Sequence, residues 1–396
     1  MTLLKEVNQI HCIGIGGIGL SAIARFFLAK GKVVTGSDMK DSELIQDLIK
    51  EGAQITLSHG GLPEGTEAVI YSEAIPKSNP ERLAAKDMPI LNYFEALGEV
   101  SKDYKLIAIA GTHGKTTTTA MLGYLLQETG FDPTVLVGSK VPQFGGKNFR
   151  MGQSEWMVVE ACEYRRNFLP LRPHLLGVTN MELDHLDYFK DEADYKAAFE
   201  KLKSQSDKLV EAISFTGPLG VPGEHNRWNA GLAAALAKEL GLEDYSSLEH
   251  FKGTWRRFER RGEWNGAPVI DDYAHHPTEL TVTINTARQE FPKKRLVAVF
   301  QPHQHTRAAA FMEGFAQALK LADLVIIPNI YATRDTVEDK ESMSVERFVG
   351  ELEAAGVNVL HTGDLAITRN WLDSDLNEED VLLVMGAGNV TSLIES

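Results

Sequence analysis

The stretch 106–121, LIAIAGTHGKTTTTAM, constrains this chain more than any other. Its apolar, β-branched run from Leu106 to Ala110 has the composition of a buried parallel strand. A glycine-rich turn follows, and then Lys115 and four threonines open a helical pattern. Backbone N–H groups of such a turn, backed by the positive end of a helix, cradle phosphate oxygens. Lys115 is placed to reach the terminal phosphates, and the Thr116 hydroxyl to ligate Mg²⁺. The spacing is G-x-x-G-K-T, with Ile109 where the full P-loop pattern has its first glycine. Gly111, Thr112, His113, Gly114, Lys115, Thr116 and Thr117 are therefore candidate contacts for a nucleoside triphosphate.

A chain of 396 residues is long enough for two or three domains. Cys12 and Cys162 are its only cysteines, too few for a disulfide framework, which points to a reducing compartment. No apolar run approaches the length of a membrane span, and the N-terminus lacks a signal-peptide pattern, so a cytoplasmic chain is expected. The net charge of −15 argues against a nucleic-acid or membrane partner. Any phosphate site must then be a local island of basic side chains and backbone amides.

Residues 1–101 read as a first domain. An apolar strand, Gln9–Ile15, runs into a G-x-G-x-x-G pattern at Gly14, Gly16 and Gly19, and then into an amphipathic helix. A second strand, Val33–Gly36, ends in Ser37 and Asp38. An acid about 20 positions after the glycines is where a Rossmann-type unit holds a ribose hydroxyl. The loop, with Ile15 and Gly17, should hold a diphosphate, and Asp38 a ribose. Ser72, just after the strand Ala68–Tyr71, could add a contact at the sheet's carboxyl edge.

Residues 102–248 read as a second domain. The strand Trp156–Ala161 carries Glu160, a candidate Mg²⁺ ligand because a hard cation wants oxygen donors. Leu175–Asn180 is another strand, followed closely by His185, which could serve a metal, touch substrate or cap a turn. Asn226 and Asn229 share one face of an Ala/Leu-rich helix and suit the edge of a base, or simply cap the helix. Residues 249–396 form a third unit in which strand and helix again alternate. It holds a basic island around Arg257, a polar turn DDYAHHP from Asp271, and QPHQHTR after the strand Arg295–Phe300.

Taken together, GTHGKTTTTAM, VVEACEYRRNFL, TNMELDHLDYF, PGEHNRWNA, GTWRRFE, DDYAHHP, FQPHQHTR and GAGN resemble the Mur ligases of peptidoglycan synthesis. The resemblance spans essentially the whole chain. It implies an α/β protein of three domains: a Rossmann-like N-terminal domain for a UDP-sugar, a P-loop ATPase-type central domain, and a Rossmann-like C-terminal domain for an amino acid. It also implies ATP-dependent ligation of L-alanine to the lactyl carboxylate of UDP-N-acetylmuramate through an acyl phosphate, with Mg²⁺ as cofactor. By this resemblance Lys115, Thr116 and Glu160 handle the γ-phosphate and Mg²⁺. His185 serves a second Mg²⁺ beside the sugar's carboxylate, with Asn180 close by. Asn226, Asn229, Arg257 and Asp271 meet the nucleotide, and Lys115, Glu160, His185 and Arg257 are the catalytic set. Tyr273, His275, His303 and Arg307 form the amino-acid pocket. Oligomeric state, monomer or dimer, stays open.

Three departures from the family pattern stand out. Gln304 replaces the first of two arginines that often occur in the QPH segment. Only about 21 residues separate Lys201 from Pro222, where relatives are longer, so the edge of the central sheet should be reduced. Many relatives use a carbamylated lysine after the D-H segment; the comparable place is Phe199, with Lys196 and Lys201 nearby, so no such group is expected. Rival readings are a recycling ligase that joins a murein tripeptide to the same UDP-sugar, a nicotinamide oxidoreductase, and a non-catalytic ATP-driven switch. The oxidoreductase leaves GTHGKTTTT unexplained, and the switch does not need the polar cluster 271–276.

Overall fold

In the computed structural model, which describes residues 3–333 and 335–395, the apolar runs become the strands of three separate sheets. The first contains β1 (Gln9–Ile13), β2 (Val33–Ser37), β3 (Gln54–Thr56), β4 (Ala68–Tyr71) and β5 (Ile90–Asn92) in the order β3-β2-β1-β4-β5. All its pairings are parallel. The strand order reverses between β1 and β4, where open α/β sheets bind ligands beyond their carboxyl ends. The glycine loop leaves β1 there, and Ser72 follows β4. β1 stops at Ile13, short of the expected Ile15, because Gly14 turns to φ +80°.

The second sheet contains β6 (Lys105–Ala110), β7 (Thr134–Val141), β8 (Lys147–Arg150), β9 (Trp156–Glu160), β10 (Leu175–Val178) and β11 (Lys208–Val210). Its order is β11-β10-β6-β9-β7-β8, parallel except for the hairpin β7–β8. β6 lies inside the sheet and is buried on both faces, which is why it reads as one unbroken apolar run. The helix Lys115–Glu128 is buried from Thr116 through Leu126. The sheet ends at the short strand β11, and the chain returns directly to the helix Glu224–Glu239.

The third sheet contains β12 (Glu259–Trp264), β13 (Ala267–Asp272), β14 (Arg295–Phe300), β15 (Leu324–Ile327), β16 (Val359–His361) and β17 (Asp380–Met385). Its order is β12-β13-β17-β14-β15-β16, with only β12–β13 antiparallel. β15 stops at Ile327, since Pro328 has no N–H to offer the ladder.

The chain divides into two compact units: Met1–Gly220 with Arg227–Thr254, and Val221–Asn226 with Trp255–Ser396. The first unit holds two sheets because they share one continuous apolar core. The helix Ile18–Ala29 supplies Phe26, whose ring meets Phe149 of β8 edge-on with centroids 6.4 Å apart. Beneath this contact Arg25 is buried and donates from Nη1 to Asn148 Oδ1 at 2.5 Å and from Nε to Glu51 at 2.8 Å. Among the described residues no helix is long and apolar enough to cross a membrane.

Candidate functional site

The ends of β6, β9 and β10 converge on the loop Gly111–Gly114. Gly111 has φ +136°, and a Cβ there would lie 2.0 Å from Thr179 Oγ1; Gly114 has φ +84°, and its Cβ would lie 2.3 Å from Asn229 Oδ1. Only glycine fits either place. The loop is clamped from β10: His113 N–H donates to Asn180 Oδ1 at 3.0 Å, and Asn180 Nδ2 donates back to His113 O at 2.9 Å. Both ends of the Asn180 amide are thus spent on the loop, so Asn180 holds the loop in shape. Thr112 Oγ1 donates to Glu182 O and lies 2.8 Å from the Tyr195 hydroxyl. Thr117 is buried in the first turn of the helix, and Asn229 also accepts from Thr118 Oγ1 at 3.3 Å.

Thr116 Oγ1 donates to Glu160 Oε1 at 2.9 Å, and Gly138 N–H from β7 donates to Glu160 Oε2 at 2.8 Å. Two adjacent ligands of an octahedral ion with bonds of 2.0–2.1 Å sit about 2.9 Å apart, so this oxygen pair fits Mg²⁺. Lys115 Nζ donates to Gly111 O at 2.6 Å and Thr112 O at 2.8 Å, and lies 2.9 Å from Glu163 Oε2. Burial, the largest single influence, works against the lysine's charge, but Glu163, Cys162 and Glu160 together outweigh it and raise its pKa. Burial likewise works to raise Glu163, yet Lys115 and a hydrogen bond with His185 hold its carboxyl below the usual range. His185 Nε2 sits 3.5 Å from Glu163 Oε1, and its ring lies 4.6 Å from that of Tyr164. Glu163 is therefore the hub between Lys115 and His185, and sequence reasoning passed over it. Phe199 is fully buried against the rings of Phe168 and Tyr195, while Lys196 pairs with Glu192 at 2.6 Å.

At the first sheet, Gly14 and Ile15 donate their N–H groups to Ser37 O at 2.8 and 3.1 Å, and Gly17 donates to Gly14 O at 3.1 Å. Gly16 N–H is accepted by Asp38 Oδ2 at 2.9 Å. Asp38 therefore reaches the loop through Oδ2, while its Oδ1 accepts from Met39 N–H at 2.7 Å. Ile15 turns into the core, where a Cβ on Gly36 would come within 2.6 Å of it, so its side chain packs and does not face a ligand. Gly19 gives close passage to Tyr93, 3.0 Å from where its Cβ would be. The helix that starts at Ile18 has no side-chain cap and no acid in its first turn, which leaves its N-terminus suited to an anion. Ser72 abuts the loop, its Cβ 3.1 Å from the place of a Gly14 Cβ.

In the second unit the two neighbouring arginines divide. Arg256 is buried and pairs with Asp271, while Arg257 lies 5.3 Å over the Tyr273 ring and 3.8 Å from Glu279. Asp271 is fully buried, and it also accepts from Thr391 Oγ1 at 2.8 Å. Both of its oxygens are engaged within the fold. Tyr273, His275 and His303 come together: the first two rings are 5.4 Å apart and the last two 6.2 Å. Tyr331, another residue the sequence did not mark, stacks on His303 at 5.8 Å and 15°. Arg307 is buried on the helix His305–Ala310. Gln304, at φ +67°, donates to Thr333 O at 3.2 Å and so faces the neighbouring loop. Asn226 is buried and donates to Pro222 O at 2.6 Å, closing the turn before its helix.

Three family models match the chain in order: the Mur ligase family catalytic domain over residues 9–105, the Mur ligase middle domain over 109–214, and the Mur ligase glutamate ligase domain over 256–388. A UDP-N-acetylmuramate–L-alanine ligase of Caldanaerobacter subterraneus is 36% identical over 447 aligned residues, covering 98% of this chain and 96% of that protein. That alignment is longer than the 396 residues here, so the relative carries segments this chain lacks. The crystal structure of the UDP-N-acetylmuramate-alanine ligase of Thermotoga maritima matches with TM-score 0.83 and 28% identity, over 98% of this chain and 97% of that one. A murein peptide ligase of Psychrobacter arcticus shares the fold, with TM-score 0.72 at 22% identity and 97% coverage of both chains.

Proposed function

This chain belongs to the Mur ligase family, and from that premise we propose that it joins L-alanine to the lactyl carboxylate of UDP-N-acetylmuramate, converting ATP to ADP and phosphate. The observation that carries the reading is the convergence of Lys115, Thr116, Glu160 and Glu163 at the carboxyl ends of β6 and β9, in a chain similar over its length to ligases with that activity. A carboxylate is a poor electrophile. One of its oxygens attacks the γ-phosphorus of ATP, the bond to the ADP oxygen breaks, and an acyl phosphate results. The L-alanine amine then attacks the acyl carbon, loses a proton, and the tetrahedral intermediate expels phosphate. Such transfers need positioning and charge neutralisation more than a covalent enzyme group.

The glycine loop Gly14–Gly19 takes the UDP diphosphate, and residues 111–117 take the ATP phosphates. Lys115 leaves Gly111 O and Thr112 O for the transferring phosphoryl group, while Glu163 keeps it charged. Thr116 and Glu160 hold Mg²⁺, which when bound neutralises charge on the phosphates. Tyr273, His275, His303 and Arg307 receive the amino acid. The test is phosphate release with ATP, Mg²⁺ and UDP-N-acetylmuramate across L-alanine, glycine, L-serine and a murein tripeptide. Release that needs L-alanine supports the reading; release that needs the tripeptide assigns the recycling reaction instead.

A further inference from the structure

Arg165 and Arg166 both sit in the left-handed backbone region, at φ 52° and 60°, just after Glu163. Strain of this kind in non-glycine residues gathers at functional sites and persists only where the surroundings impose it. The two side chains are held very differently. Arg166 is fixed: it donates to Asp194 at 2.6 Å and lies 5.5 Å over the Phe189 ring. Arg165 is 48% exposed and has Glu73 at 3.7 Å, beyond hydrogen-bond reach. Its guanidinium rests 5.3 Å over Tyr164, whose ring packs on His185 and whose hydroxyl donates to Asp187 at 2.8 Å.

The position matters. Glu73 follows Ser72, which abuts Gly14 of the glycine loop. Arg165 therefore stands between the diphosphate loop of the first sheet and the His185–Glu163–Lys115 chain of the second. This edge is rich in acids, and Lys115 is taken up by Glu163 and by loop carbonyls. A substrate carrying a diphosphate and a carboxylate needs a cation here. An exposed, long ion pair contributes almost nothing, whereas a guanidinium binds phosphate or carboxylate oxygens strongly and bidentately.

We propose that Arg165 exchanges Glu73 for an anionic oxygen of the UDP-sugar as the substrate binds, and so is a binding residue for that substrate. The proposal rests on the UDP-N-acetylmuramate reading above. Calorimetry with UDP-N-acetylmuramate tests it on wild type, Arg165→Asn and Glu73→Gln; asparagine tolerates the left-handed backbone and removes the charge. Arg165→Asn should weaken binding by about 10- to 100-fold, the loss of one charge-assisted bond, with ATP affinity unchanged as the check on folding. Glu73→Gln should hold or tighten binding. UDP-N-acetylglucosamine, which lacks the lactyl carboxylate, separates the two anions: equal losses for both sugars place Arg165 on the diphosphate, and a loss confined to UDP-N-acetylmuramate places it on the carboxylate. Unchanged affinity in Arg165→Asn overturns the proposal, as does an equal loss in Glu73→Gln, which would make the pair merely a strut between loops. A wild type that binds neither sugar nucleotide overturns the functional reading as well.

Discussion

Arg256 and Asp271 hold each other in a buried ion pair, with Arg256 Nε 3.1 Å from Oδ1 and 3.2 Å from Oδ2 of the carboxylate. Arg256 Nη2 also donates to Gly386 O at 2.6 Å, tying β13 to the turn after β17. Removing one partner leaves a buried charge unpaired, which costs about 3–5 kcal/mol. Asp271→Ala should therefore lower the unfolding free energy of the second unit by about that much in urea titrations. Arg257→Ala should change stability by less than about 0.5 kcal/mol while lowering turnover. Equal stability losses for the two variants would contradict this division of labour.

Asp272, next along β13, behaves differently. Burial pushes its carboxyl to about 6 from the ordinary 3.8, although Arg257 and the N–H groups of Phe258 and Ala274 work the other way. A raised folded value means the native state holds the proton more tightly. Its contribution is complete below pH 3.8 and is lost as pH climbs through about 6. A shift of about two units corresponds to roughly 3 kcal/mol. The stability of wild type relative to Asp272→Asn, which cannot titrate, should fall by that order between pH 4 and 6.5. A difference independent of pH would show that Asp272 stays ionised in the fold.

These two acids show where sequence reading stops. The strand, loop and helix around Lys115 are local features, and periodicity with glycine spacing makes them legible. Which of Arg256 and Arg257 turns inward depends on how the segment before β12 meets β13 and β17, a long-range fact. Glu163 looks like a solvated loop acid until β6 and β9 bring it to Lys115. The family resemblance sets Asn180 near His185, but only the clamp on His113 shows what its amide does. The hairpin β7–β8 is not legible in the sequence although TVLV is β-branched, because Gly138, Ser139 and Lys140 interrupt the run. Gly138 is the residue that fixes Glu160.

The Lys115–Glu163 pair predicts a split between chemistry and binding. Lys115→Ala should abolish ATP-dependent phosphate release while UDP-N-acetylmuramate binding persists, since the loop proposed for that ligand's diphosphate is on the other sheet. Glu163→Gln should keep the fold and slow turnover, because it releases Lys115 and His185 together. Calorimetry beside steady-state kinetics reads both. Loss of UDP-sugar affinity in folded Lys115→Ala would join the two sites that the sheets keep apart.

Gly16 tests the first sheet. A Cβ there would lie 2.9 Å from Asp38 Oδ2 and 3.1 Å from Ile45 Cδ1. Gly16→Val adds two further methyl groups and drives Asp38 off the Gly16 N–H. UDP-N-acetylmuramate binding should vanish with ATP affinity unchanged. Normal sugar-nucleotide binding in this variant would move the ligand away from the glycine loop, and tight NAD binding by wild type would revive the oxidoreductase reading.

The proposed amino-acid pocket is the most exacting test, because its cation count departs from the family pattern. Gln304 faces Thr333 O, so in the proposed pocket Arg307 is the guanidinium of the QPH segment assigned to the α-carboxylate. A charge-assisted bond contributes roughly 1.5–3 kcal/mol, about one to two decades of affinity. Arg307→Ala should raise the KM for L-alanine by that factor and leave the KM values for ATP and UDP-N-acetylmuramate nearly unchanged. Gln304→Arg must first break the bond to Thr333 O, and its positive φ directs the new side chain along the same path. It should therefore lower the KM for L-alanine only if the loop yields. The rings of Tyr273, His275, His303 and Tyr331 crowd the site, which favours alanine, glycine or serine over larger amino acids. Steady-state kinetics of both variants over those three amino acids decides the matter. An unaltered amino-acid KM in Arg307→Ala would remove that residue from the pocket, and with it the main argument for where the α-carboxylate binds.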